Sequence, residues 1–310
     1  MIDDFGRGAS DAAPASRGRV ASDEAHLEPF ARHRRLLFTV AYELTGSAAD
    51  AEDAVQEAWL RWSAADRSDV LDPRAYLVRV TTRLALDRLR ALRTRRETYV
   101  GPWLPDPLLT TPDAALQVEQ AQDVSAAMLV VLETLSPLER AVFVLREVFD
   151  VPYGEIAQVL ERTPDAVRQT ARRAREHVRV RRPRFTPPDA QQRRATERFM
   201  AACATGDTAA LVEALAPDVV LLSDGGGKAT AALRPIEGVE KVARTLVGLA
   251  AKPEALGLDY EPADVNGAVG GVWSVGGDPV MAASLEYDGD RIARVLMFRN
   301  PERLAGLRRA

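Results

Sequence analysis

The chain of 310 residues has little cysteine, histidine or lysine: one, three and three residues. The single cysteine, Cys203, excludes an internal disulfide and fits a reducing, cytoplasmic environment. No apolar run is long enough to span a bilayer, and the first residues lack the apolar core of a signal peptide. We therefore expect no membrane partner, and a disordered tail over residues 1–22, which are rich in small and charged residues.

Basic charge is concentrated in two stretches, although the net charge of the whole chain is −4. Asp87 is the only acid in residues 74–96, and Glu176 is the only one in residues 168–184. Charge asymmetry of this kind is typical of a nucleic-acid-binding face. A solvated protein surface is the simpler interpretation of either stretch taken alone.

Residues 153–178 have the pattern of two helices joined by a tight turn. Thr163 is a good N-cap, Pro164 suits the first helical position, and Val167 and Ala171 begin an apolar stripe at helical spacing. The opposite face of the second helix carries arginine and glutamine, which can read guanine and adenine in a major groove. A helical hairpin with a solvated basic face is the alternative. The residues expected to bind an upstream DNA element are Arg168, Gln169, Arg172, Arg173 and Arg175.

Two helix-rich runs in the first third of the chain resemble a known family. The run from Phe38 to Trp62 (FTVAYELTGSAADAEDAVQEAWLRW) and the run from Asp72 to Arg90 (DPRAYLVRVTTRLALDRLR) resemble region 2 of the extracytoplasmic-function, or group IV, sigma factors of the sigma-70 family. Residues 132–149 (LETLSPLERAVFVLREVF), together with the helix-turn-helix pattern, resemble region 4 of the same family. The resemblance implies an RNA polymerase sigma factor with two all-α domains.

The resemblance also implies partners for region 2. In the family, an acidic helix docks on the clamp helices of the largest subunit of core RNA polymerase; here its members are Asp50, Asp53, Gln56 and Glu57. The following basic helix recognises and opens the downstream promoter element, which needs a stacking surface and a basic path for a single strand. Its candidates are Tyr76, Arg79, Arg83 and Arg90.

The segment after the basic helix is unusually apolar for a tether. Four prolines in residues 99–112 exclude a continuous helix, and exposed apolar groups such as Trp103 and Leu104 favour docking onto a surface. The segment resembles the linker of a sigma subgroup that carries a fused C-terminal domain.

The residues beyond 188 change to helices followed by strands, which predicts an α+β cone with a curved antiparallel sheet and an internal pocket. The motifs at 204–211 (ATGDTAAL) and 298–304 (FRNPERL) resemble the SnoaL-like branch of the NTF2 and ketosteroid-isomerase superfamily. Some members are enzymes with a pocket Asp and His, but His26, His33 and His177 all lie outside this domain. We therefore expect no catalytic residue, no cofactor and no metal, while an unknown small-molecule ligand remains a further partner for the pocket.

Residues 224–228 (DGGGK) form a glycine run beside a lysine. A phosphate-binding P-loop is excluded, because Leu222 and Ala229 occupy positions that require Gly and Ser or Thr. An ordinary glycine turn is the simplest alternative. In the sigma subgroup with a fused domain, this segment lies near the interface between the added domain and the sigma core. The resemblance therefore implies an interdomain regulatory set: Trp103, Leu104, Asp224, Gly225, Gly226, Gly227 and Lys228.

We predict a non-enzymatic sigma factor that directs promoter recognition, DNA melting and transcription initiation, regulated by its own C-terminal domain in place of a separate anti-sigma factor. The alternatives are a helix-turn-helix regulator with a ligand-binding pocket and a cyclase-like or isomerase-like enzyme. The expected division is a tail at 1–22, region 2 at 23–96, a linker at 97–115, region 4 at 116–182, a hinge at 183–192 and a SnoaL-like domain at 193–310.

Overall fold

The computed structural model describes residues 15–65, 70–96, 98–110, 125–179, 189–252 and 257–307. Residues 1–14 of the predicted tail, the end of the predicted linker and most of the predicted hinge lie outside these residues. Within them, an all-α part comes first and an α+β part follows, in the order that the sequence predicts.

The first part of the chain, predicted as region 2, consists of three helices. Gly46 ends the first helix with a φ of 66°, and Ser47 caps the second by accepting a hydrogen bond from the Asp50 amide. The first helix begins at Ala15, inside the segment predicted to be a tail. The helices are α1 (Ala15–Thr45), α2 (Ala48–Ala64) and α3 (Pro73–Arg96).

Region 4 is built from short helices with strong start signals. Ser136 and Glu139 form a capping box, Pro137 occupies the first helical position, and Thr163 Oγ1 accepts from the Ala166 amide at 3.3 Å. The apolar stripe predicted for the last helix, which begins at Val167 and Ala171, is buried. The elements are α4 (Ala126–Leu132), α5 (Pro137–Phe143) with a π-helical turn (Val144–Val148), α6 (Tyr153–Leu160) and α7 (Pro164–Arg179).

The C-terminal domain combines helices with one six-stranded sheet of order β2-β1-β6-β5-β4-β3. The sheet is mixed, because β1 pairs in parallel with β6, so the expected antiparallel sheet is wrong at that pair. The elements are α8 (Asp189–Thr205), α9 (Thr208–Ala214), β1 (Leu215–Asp224), β2 (Ile236–Glu237), α10 (Val239–Ala250), β3 (Asp259–Val265), β4 (Ala268–Val275), β5 (Asp278–Asp288), β6 (Arg291–Phe298), α11 (Pro301–Leu304) and a 3₁₀ turn (Ala305–Leu307).

Strand β3 is absent from the sequence prediction. Its first four residues are exposed and include Asp259 and Glu261, so the strand lacks an apolar alternation. The sequence did contain a usable signal, the pair Asn266-Gly267, because Asn-Gly is typical of a two-residue hairpin turn. In the structure both residues have the positive φ that such a turn requires.

The central strand β6 is buried on both faces. Successive side chains of a strand point to opposite sides. Val295 and Met297 pack in one cluster with residues of α8, α9 and α10, whereas Leu296 and Phe298 pack in another. The second cluster takes members from the linker, region 4 and the C-terminal turn: Leu104, Ala126, Leu304 and Leu307. The sheet therefore has α8, α9 and α10 on one face, and the linker, the start of α4 and the C-terminal turn on the other.

Candidate nucleic-acid interface

The outer face of α7 is open. All five residues predicted to bind an upstream DNA element are exposed. Within the described part of the chain, Gln169 and Arg172 have no hydrogen bond or ion pair to another side chain. Three neighbours have acidic partners at the surface: Arg168 pairs with Asp165, Arg173 Nε lies 3.6 Å from Glu139, and Arg175 Nη1 lies 3.5 Å from Glu147. Such exposed pairs contribute about 0–1 kcal/mol, so these arginines are readily released to phosphates.

Two of the residues predicted to contact the downstream element lie together at the start of α3. Tyr76 is half-buried, with its ring centroid 5.6 Å from that of Trp62, and the Arg79 guanidinium lies 5.4 Å from the centre of the Tyr76 ring. They line a groove of about 380 Å³ whose opposite wall is formed by region 4 residues, including Phe149 and Val159. The two thus share one site.

The other two downstream candidates lie elsewhere. Arg90 points to solvent and pairs with Asp87 at 2.7 Å. Arg83 instead contacts region 4: its Nε donates to the Val159 carbonyl at 2.9 Å and its Nη2 lies 3.0 Å from a Glu161 carboxylate oxygen. The structure therefore does not bring the four candidates into one patch.

The acidic face predicted on α2 is partly open. Asp53 and Gln56 are exposed, and Asp50 is half-buried in the first turn. Glu57 is engaged within region 2, where it pairs with Arg61 at 2.7 Å and with Arg88 at 3.3 Å.

The linker docks on the C-terminal domain through a buried carboxylate. Asp224, only 1% exposed, accepts hydrogen bonds from the Tyr99 hydroxyl at 2.6 Å, the Leu104 amide at 3.0 Å and the Gly226 amide at 3.0 Å. Burial, followed by the hydrogen bond to Asp224, raises the pKa of the Tyr99 phenol. A side chain that the family resemblance placed near an interface thus holds two linker groups.

The glycines after Asp224 allow a close approach. Gly226 has a φ of 59°, and a Cβ there would stand 2.3 Å from Asn300 Nδ2 and 2.9 Å from the Tyr99 hydroxyl. Gly227 has a φ of 71° and faces the Val100 side chain. Lys228 pairs with Glu302, which belongs to the same domain, so its contact is not interdomain.

Trp103 lies between two cations. The Arg96 guanidinium lies 3.5 Å from the centre of its ring and the Arg303 guanidinium 4.9 Å. A Cβ on Gly46 would stand 2.5 Å from the indole, so the glycine that ends α1 also admits the linker. Leu104 beside it is fully buried against Phe298. The linker is therefore packed between region 2 and the C-terminal domain.

Comparison with known families fits this arrangement. The family model for sigma-70 region 2 matches residues 30–95, and the model for sigma-70 region 4 matches residues 125–178. The ECF RNA polymerase sigma factor SigJ of Mycobacterium tuberculosis is 41% identical over 286 residues, which are 88% of this chain and 91% of SigJ. The chain belongs to the ECF sigma factors. The predicted family and function class are thereby confirmed over the two alternatives.

Solved structures extend this sigma factor's likeness beyond the helical domains. The crystal structure of M. tuberculosis SigJ matches with a TM-score of 0.73 at 38% identity, covering 93% of this chain and 98% of that one. A second relative, the probable ECF sigma factor SigI of M. tuberculosis, is 38% identical over 190 residues, 60% of this chain. Two helical sigma domains followed by an α+β domain are confirmed as the fold class.

Sequence reasoning missed several residues that join the parts of this sigma factor. The buried Tyr42 hydroxyl donates to the Asp106 carbonyl at 2.6 Å, and Asn266 donates to both groups. Leu108 and Asn266 also exchange two hydrogen bonds of 2.8 Å. Arg303 pairs with Asp106 at 3.1 Å. Only Asn266 carried a signal, as the first residue of its turn.

The described residues add two findings on membranes and metals. None of their helices combines the length and apolar character needed to cross a bilayer. They also contain no group of three or more His, Cys, Asp or Glu side chains arranged to hold a metal ion.

Proposed function

We propose that this sigma factor brings core RNA polymerase to promoters, with α7 reading the upstream element and the start of α3 engaging the opened downstream element. Support for the first role comes from the exposure of Arg172 and Gln169, which have no competing partner in the described residues. Support for the second comes from Tyr76 and Arg79, which present an aromatic ring beside a cation.

The exposed acidic side of α2 is the docking surface that we propose for polymerase. Asp53 and Gln56 are free for an intermolecular contact, while Glu57 is held by two arginines of region 2. We expect Asp53→Ala to weaken core binding more than Glu57→Ala does, measured by titration of labelled sigma factor with core enzyme.

The C-terminal domain, in this proposal, restrains the sigma domains through the docked linker. The observation that carries it is the pair of hydrogen bonds from Tyr99 and Leu104 to buried Asp224. Leaving such donors unpaired in a buried site costs about 1–3 kcal/mol each, so removing the carboxylate favours release of the linker.

The test is run-off transcription with purified core polymerase and the full chain, comparing the unsubstituted protein with Asp224→Ala. We expect the variant to give more transcript at limiting sigma factor, because less free energy is needed to free the linker. Asp218→Ala is the matched control, since Asp218 lies on the same strand β1 but is exposed.

Equal or lower output from Asp224→Ala, with the fold intact by circular dichroism, would remove the proposed restraint. We further propose that the domain performs no covalent chemistry, because the sequence places no histidine in it. A screen for turnover of cyclase and isomerase substrates tests that point.

A further inference from the structure

Region 4 packs directly on region 2, in addition to the contacts that the linker and the C-terminal domain make with region 2. Buried side chains of α1, α2, α3, α5, α6 and α7 belong to one apolar cluster. Four arginines cross this interface: Arg83, Arg93 and Arg96 from α3, and Arg140 from α5.

A single carboxylate lies at the centre of one end of the interface. Glu133, between α4 and α5, pairs through one oxygen with Arg96 of region 2 and through the other with Arg140 of region 4. The Arg140 side chain is 1% exposed, and its Nε donates to the Glu43 carbonyl of α1 at 3.0 Å. Arg96 Nη2 donates to the Thr45 carbonyl at 2.6 Å. Glu133 thereby joins the two regions at the end of α1.

The opposite end is closed by Arg83. Its guanidinium lies at the C-terminus of α6, where it donates to the Gln158 carbonyl at 3.2 Å and the Val159 carbonyl at 2.9 Å. A cation at a helix C-terminus interacts favourably with the helix dipole and satisfies free carbonyls. Here the first helix of the helix-turn-helix receives that cation from region 2.

The interface between the two regions leaves some buried polar atoms without hydrogen bonds. Arg96 Nε and Arg140 Nη2 are buried without a hydrogen-bond partner among the described residues. Burial lowers the pKa of Arg96 to about 10, so the side chain remains a cation at neutral pH. Buried ion pairs give little net stability against water, whereas removing one partner leaves uncompensated charge. Such a contact holds specifically and still opens when a partner offers better pairing.

We propose that Glu133 and the arginines that cross the interface form a latch that closes region 4 onto region 2. We call it the arginine latch: Arg83, Arg93, Arg96, Glu133 and Arg140. In the closed form, carboxylates and helix-end carbonyls of region 4 bind arginines of α3. These arginines are then not available to bind promoter phosphates. The regulatory consequence rests on the proposed function, but the latch itself does not.

The experiment measures the distance between the two regions in the full chain, without polymerase or DNA. Spin labels are placed through Asp87→Cys on α3 and Glu176→Cys on α7, whose native side chains are 73% and 64% exposed. The native Cys203 is half-buried, so it is replaced in every variant (Cys203→Ala) and only the two introduced thiols are labelled. Pulsed electron paramagnetic resonance then gives the closed and open populations.

Glu133→Gln is expected to raise the ratio of open to closed molecules about tenfold or more, since two buried cations lose their counter-charge. The matched control is Glu28→Gln, which makes the same change in an exposed pair with Arg32. Arg83→Ala tests the other end at a partly exposed site and carries the test should Glu133→Gln lose its fold by circular dichroism.

A shift with Glu133→Gln or Arg83→Ala, and none with Glu28→Gln, supports the latch. Distance distributions that superimpose on the unsubstituted chain for both folded variants overturn it. Open variants whose transcription equals that of the unsubstituted chain would refute the regulatory consequence while leaving the latch in place, so the two failures are distinguishable.

Discussion

The two basic helices of this sigma factor, α3 and α7, have similar composition but different surroundings. On α7 the arginines face solvent, and Arg168 pairs with the exposed Asp165. On α3, Arg83 and Arg96 are taken up by region 4. The arginine content of a helix therefore indicates that it could bind nucleic acid. The packing of a second domain decides which of its arginines are available to do so.

The largest expected contrast concerns the acids that serve the two helices. Glu133→Ala, which leaves Arg96 and Arg140 buried without a counter-charge, should lower the free energy of unfolding by about 3–5 kcal/mol. Asp165→Ala, on the exposed side of α7, should change it by about 0–1 kcal/mol. Urea denaturation followed by far-UV circular dichroism compares them. Equal losses of unfolding free energy in the two variants would show that the ion pairs of α3 and α7 contribute alike, which contradicts the difference described above.

A second contrast concerns base reading. Arg172→Ala should reduce discrimination at one upstream base pair by about 1–3 kcal/mol, because a bidentate contact to a base edge is lost. Arg83→Ala should leave upstream discrimination unchanged, since Arg83 belongs to α3. Competition binding of the polymerase holoenzyme to promoters substituted at single upstream positions measures both. An unchanged base preference for Arg172→Ala would assign that side chain to phosphate contact.

The smallest expected effect concerns what the helices have in common, their caps. Thr163 accepts from the Ala166 amide at the start of α7, and Asp72 accepts from the Ala75 amide at 3.1 Å at the start of α3. Thr163→Ala and Asp72→Ala should each cost about 1 kcal/mol of stability in urea denaturation. A much larger loss of stability for Asp72→Ala than for Thr163→Ala would show that α3 depends on its cap more than α7 does.

Local features of this chain were predictable because their causes are local. The capping residues Ser136 and Thr163, and the inner stripe of α7, follow from side-chain chemistry within a few positions. The docking of the linker was predictable from its apolar residues, since exposing Trp103 and Leu104 to water is unfavourable.

Other features depend on partners distant in sequence and left no local signal. Nothing around Glu133 or Arg140 indicates that one carboxylate serves two buried arginines, or that Arg83 reaches α6. The charged residues of β3 hid a strand that owes its place to pairing with β4. Asp224 was singled out by resemblance alone, because burial of a lone acid is invisible in sequence.

The two-sided burial of β6 has a consequence for a molecule in which the C-terminal domain has separated from the sigma domains. Val295 and Met297 stay covered by the helices of their own domain, so the sheet can separate from the sigma domains without unfolding. Separation uncovers Leu104 and Ala126 and removes part of the cover of Leu296 and Phe298, which keep Leu304 and Leu307 of their own domain beside them. Because exposed apolar surface of this kind favours association, we expect the population of separated monomers to depend on protein concentration.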